Sequence, residues 1–236
     1  MNRTGARGIV AAVRAVAALA VVAAVAGQLR VSLRFWAERG DRDIPVDVVN
    51  FFSYFTIQTS VLHAVVLAVG AGLLLGRRGP DPRWYTGLRA AATSYAVITG
   101  SVYNAVLRSI PLPPGLEQPW SNEVLHLLAP AYAVLDWLLA PGRTPIRWRT
   151  VGWIVLYPVL WAGYTLLRAP HVLDESTGAP YWYPYPFLDP YASDNGYMSV
   201  MAWIGALAAG VTVAACLVVA VSRARRAATG GGSLPE

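Results

Sequence analysis

Residues 9–31 read IVAAVRAVAALAVVAAVAGQLRV, an apolar run interrupted by Arg14, Gln28 and Arg30. A helix needs roughly 20 predominantly apolar residues to cross a bilayer, and this run has that length. Comparable runs follow at 48–75, 85–110, 120–140, 151–167 and 197–221. Charge or turn residues bound them: Arg77-Arg78-Gly79-Pro80, Pro111-Leu112-Pro113-Pro114-Gly115, Pro141-Gly142-Arg143 and Ala169-Pro170. The sequence therefore predicts an all-α integral membrane bundle of six transmembrane helices within residues 1–228, and a disordered Gly-rich tail over 229–236. Ala24-Val25-Ala26 resembles a signal-peptidase site behind an Arg-bearing start. The apolar run continues past it, so the first run is read as a retained span.

Composition agrees. Hydrophobic residues make up 56% of the 236-residue chain and charged residues 14%, where a soluble domain carries about 25%. Every basic residue is Arg; with abundant Ala, Val and Gly, this is the signature of a GC-rich bacterial genome. The net charge of +6 does not point to nucleic acid, because the Arg residues sit in short clusters between apolar runs, as in cytoplasmic membrane loops. The single cysteine, Cys216, excludes an intramolecular disulfide. With the amino terminus inside, thirteen of the 19 Arg residues, Arg14 and Arg89 among them, fall on the inner side and six on the outer. The positive-inside bias thus predicts both termini in the cytoplasm. The aromatic stretch from Tyr181 to Tyr191 then faces out.

Polar side chains in hydrocarbon are costly and mark function by default. On the second run Ser53, Thr56, Ser60 and His63 share a face by helical spacing, as do Asn122, His126 and Asp136 on the fourth. At about 1.5 Å per residue, Thr56 and His126 both lie roughly 10 Å below the outer edge. If the stripes face each other, Thr56 meets His126, and His63 and Asp136 form a buried pair deeper down. A neutral imidazole can activate a threonine hydroxyl, and a third group must fix its tautomer. Asn122, Asn104, Tyr103, Tyr164 and Gln58 are the candidates for that support or for oxyanion donation. No cofactor is required. His63, His126 and His171 lack tight metal-ligand spacing, so no metal is expected. The alternative is a non-catalytic lipid or small-molecule binding or transport protein. Broken helices or inverted repeats would mark it, and neither is legible, although Pro158 could kink the fifth helix.

Three patches add a resemblance: Tyr54-Phe55-Thr56, Asn122-Glu123-Val124-Leu125-His126 with Pro130, and Tyr185-Pro186-Phe187-Leu188-Asp189. In order and spacing they resemble the androgen-induced-gene membrane protein family, six-helix proteins of animals with bacterial relatives. The resemblance implies hydrolysis of fatty acid esters of hydroxy fatty acids, with Thr56 as intramembrane nucleophile and His126 as its base. It makes a membrane lipid or fatty-acyl ester from the outer leaflet the expected partner. Tyr185, Pro186, Phe187 and Asp189 would belong to a lid that excludes water. The chain departs from the animal pattern at Ile57-Gln58-Thr59-Ser60, which is more polar, and in the loop from Tyr191 to Tyr197.

Overall fold

A computed structural model describes residues 3–110 and 115–229, with side chains described for 5–110 and 115–224. The chain is helical: α1 (Arg3–Arg39), α2 (Ile44–Ser53), α3 (Phe55–Gly76), α4 (Arg83–Val102), α5 (Pro119–Glu123), α6 (Ala129–Leu139), α7 (Arg149–Arg168) and α8 (Tyr197–Thr229). The expected tail lies outside the described residues except for Thr229, which ends α8. Four helices are long and apolar enough to cross a membrane: Gly5–Arg39, Phe55–Gly76, Arg149–His171 and Tyr197–Ala224. These are the marks of a multi-pass membrane protein. The remaining two expected spans are less regular. α4 carries Arg83, Arg89, Thr86, Thr93 and Ser94, and the stretch from Pro119 to Leu139 is divided by a π-helical turn at Val124–Leu128.

In the bundle α1 packs along α3, α4 packs on α3, α6 and α8, and α7 packs on α8. Many large apolar side chains point outward, Leu19, Val65, Leu139, Leu160 and Leu217 among them, as expected of a surface solvated by lipid. Small residues set the closest approaches. A Cβ on Gly100 would sit 3.0 Å from Pro130 and 3.1 Å from the His126 carbonyl, so α4 and the fourth expected span meet backbone to backbone.

The second expected span is not continuous. It breaks at Tyr54, whose ψ of 130° is extended and which closes α2 and opens α3. No Pro or Gly causes the break, and tertiary partners satisfy the backbone groups it frees. The Gln58 amide donates to the Phe52 carbonyl at 2.8 Å, the Trp161 indole to the Ser53 carbonyl at 2.9 Å, and the Thr56 N–H donates to the Tyr185 hydroxyl at 3.3 Å. Two prolines are handled the same way. Pro130 cannot supply an N–H to the His126 carbonyl, and Asn104 Nδ2 donates there at 3.0 Å. Pro158 stands inside α7, and the Tyr95 hydroxyl donates to the Ile154 carbonyl at 2.7 Å. In a medium without water each such group must find a protein partner.

Arg14 and Arg89, counted from sequence with the inner loops, are instead buried within the bundle. Arg14 donates to both Asp136 oxygens at 2.8 and 3.2 Å and to the Gly70 carbonyl at 3.2 Å. Arg89 donates to Asp136 Oδ2 at 2.8 Å and approaches Asp81 at 3.6 Å. Two cations and two carboxylates balance, which is how charges are tolerated away from water. Without them the expected inner segments still carry eleven Arg residues against six in the expected outer ones.

Candidate functional site

The break at Tyr54 sets Thr56 in the first turn of α3, where backbone N–H groups have no partner within the helix. Its side chain joins the wall of an apolar, partly open cavity between α3, α4, α7, α8 and the loop that precedes α8, whose ≈ 680 Å³ of empty space includes space open to the surroundings. Of the residues singled out from sequence, Thr56, Tyr103, Tyr185 and Phe187 line this cavity. Apolar groups such as Ile98, Leu107 and Leu207 supply most of the remaining wall. Its character fits an acyl chain better than a polar metabolite.

Tyr185 is the direct partner of Thr56. Its hydroxyl lies 3.3 Å from Thr56 Oγ1 as well as from the Thr56 nitrogen. Tyr54 and Trp161 meet the Tyr185 ring edge-on, and Phe187 stacks on it at 5.1 Å. Burial pushes the phenol above the usual tyrosine range, against the opposing hydrogen bonds from Thr56. At neutral pH the group is therefore a proton-bearing donor. Pro186, Phe187 and Leu188 form a short 3₁₀ turn, and Asp189 accepts from the Tyr191 N–H at 2.9 Å, so Asp189 braces the loop.

His126 stands one layer behind the cavity. Its ring stacks on Tyr103 with centroids 3.8 Å apart. Its Nδ1 lies 3.0 Å from the Asn122 carbonyl. A carbonyl only accepts, so Nδ1 carries the proton and Nε2 keeps a free lone pair. The third group sought for the imidazole is thus the Asn122 backbone, while the Asn122 side-chain amide donates to the Tyr103 hydroxyl. Asn104 holds the His126 carbonyl and accepts from Arg108 Nε at 2.8 Å. Arg108 in turn pairs with Glu123 at 2.9 Å. Tyr103 and His126 both lie in π-helical turns, Tyr103–Leu107 and Val124–Leu128, a local geometry frequent at functional sites.

The expected contacts between the two polar stripes take a different form. Among the described residues no hydrogen bond joins Thr56 to His126; Thr56 Oγ1 is engaged by Tyr185, and the His126 ring turns to Asn122 and Tyr103. His63 is buried, but the Asp136 carboxylate is occupied by Arg14 and Arg89, cations that outcompete a neutral imidazole. Gln58 caps the helix break and accepts from Tyr157. Tyr164 bonds Ser53 at 3.1 Å beside a separate small crevice with Arg168 and Trp182. No group of three His, Cys, Asp or Glu among the described residues is placed to hold a metal ion. Sequence reading assigned Tyr185 to a lid and missed its pairing with Thr56. It missed Trp161 altogether, since no linear pattern links α7 to a break in another helix.

No family model, curated protein or solved structure matches the chain.

Proposed function

We propose that the chain is a six-span membrane hydrolase, both termini in the cytoplasm, that splits the ester bond of a fatty-acyl lipid entering from the outer leaflet. One observation carries the reading: a threonine hydroxyl in the first turn of a broken helix opens on an apolar cavity, and a histidine whose Nε2 lone pair is left open by the Nδ1–Asn122 contact stacks on Tyr103 in that cavity's wall. In this reading the acyl chain fills the cavity and the ester carbonyl lies against Thr56. Oγ1 bonds to the carbonyl carbon while its proton passes to His126 Nε2. The leaving alcohol then takes that proton, and water hydrolyses the acyl-threonine with His126 again as base. The patches around Thr56, His126 and Tyr185 that resemble the androgen-induced-gene family support the same assignment.

The test is hydrolysis of a long-chain p-nitrophenyl ester by purified protein in proteoliposomes. Thr56→Ala is expected to abolish turnover with melting nearly unchanged, and Thr56→Ser to retain part of it. His126→Asn is expected to stop turnover while lipid still binds. Full activity in Thr56→Ala overturns the reading. The break at Tyr54 favours a second reading, non-catalytic lipid binding or transport, because interrupted membrane helices commonly line binding sites. Lipid uptake without turnover in the wild type would favour it.

A further inference from the structure

We propose that Tyr185 is a catalytic residue, its phenol the hydrogen-bond donor that stabilises the oxyanion formed when Thr56 attacks an ester; this rests on the hydrolase reading above. The Tyr185 hydroxyl occupies an unusual position. It touches both the nitrogen and the Oγ1 of Thr56, each at 3.3 Å, and it belongs to a residue in the cavity wall. A reacting carbonyl has to lie about 3 Å from both the nucleophile and its oxyanion donors. Two oxygens 3.3 Å apart on one cavity wall satisfy that requirement together.

The orientation of the phenol follows from its neighbours. The Thr56 N–H can only donate, so it claims a lone pair on the Tyr185 oxygen and leaves the phenolic proton available. That donation also polarises the O–H and strengthens it as a donor. The ring cannot drift, because Tyr54 and Trp161 meet it edge-on and Phe187 lies parallel to it at an interplanar angle of 5°. A preoriented donor in a site walled by apolar groups stabilises developing charge without reorganising.

The step balances within the mechanism already described. As the Oγ1–carbon bond forms, the carbonyl π pair moves to oxygen, and Tyr185 O–H donates to that oxyanion while keeping its proton. When the C=O bond re-forms, the alkoxide leaves and is protonated by His126. Tyr185 gains and loses no atom.

The experiment compares wild type and Tyr185→Phe in p-nitrophenyl ester hydrolysis, with dissociation constants measured for a non-hydrolysable acyl ether. Phenylalanine keeps the ring contacts and removes the hydroxyl alone. The expected result is a kcat lower by about 10²–10³, with KM and ether binding within threefold of wild type. A kcat within threefold of wild type overturns the role of Tyr185 and leaves the Thr56 reading standing. Equal losses in binding and turnover overturn it too, since they report packing. An inactive wild type removes both readings at once. If Tyr185→Phe melts early, a polyfluorinated tyrosine at 185, whose phenol ionises near neutral pH, decides the question. Loss of kcat as that phenol ionises supports the donor role, and an unchanged pH profile contradicts it.

Discussion

At the scale of single residues, environment rather than identity decides what each polar group does. Thr56 and Thr59 sit three positions apart in α3. Thr59 returns its hydroxyl to the Phe55 carbonyl at 2.8 Å, as a helical threonine does, whereas Thr56 reaches out to Tyr185. Asp47, in the first turn of α2, shows the same dependence. Its carboxyl is buried with Oδ2 unpartnered. Burial first, then the neighbouring Asp41 and Glu175, push it up to about 6 against the pull of Arg39. A carboxyl raised in the folded state stabilises the fold below the ordinary aspartate range, and that stability is lost as pH rises through the folded value. Melting in detergent is therefore expected to fall between about pH 4 and pH 6, by about 1 kcal/mol after screening. Asp47→Asn should flatten that dependence; an unchanged pH profile in the variant contradicts the assignment.

At the scale of elements, the long apolar helices were legible and the interruptions were not. Apolar runs located helices near 9–31, 151–167 and 197–221, and α1, α7 and α8 cover them. The expected continuous helix over 48–75 is two helices, because the carbonyls that would have closed it are taken by Gln58 and Trp161. Neither partner can be inferred from Ser53-Tyr54-Phe55. Asn122 and His126 on a common face were readable from spacing. The backbone carbonyl that fixes the imidazole, and the π-helical turns that carry His126 and Tyr103, were not. The charged cluster is a tertiary feature of the same kind, joining α1, α4 and α6 through Arg14, Arg89 and Asp136. Asp136→Asn leaves two buried cations short of a partner and should cost about 3–5 kcal/mol, read as lowered melting. Arg14→Met combined with Asp136→Leu keeps Arg89 beside Asp81 and should recover much of that loss. A double variant as unstable as the sum of its parts would show that Arg14 and Asp136 are not coupled.

At the scale of the whole molecule, one end of the bundle carries the α1–α2 connection, the long loop before α8 and the candidate site. Glu175, in the loop before α8, accepts from the Arg42 and Asp43 N–H groups at 2.7 and 3.1 Å. That contact ties the loop carrying Tyr185 to the connection between α1 and α2. Leu188 of the same loop is fully buried, so the loop is anchored at two points around the Thr56 cavity. The four long apolar helices and the apolar outer surface fit this assembly to a bilayer; the proposed orientation would turn the cavity toward the outer leaflet. The proposed hydrolase requires an activated hydroxyl at Thr56. The most direct measurement is fluorophosphonate labelling of purified protein, wild type beside Thr56→Ala and His126→Ala, with the modified residue identified by mass spectrometry. A single adduct on Thr56 that vanishes in both variants is expected. A folded wild type that takes no label, or one labelled elsewhere, contradicts it.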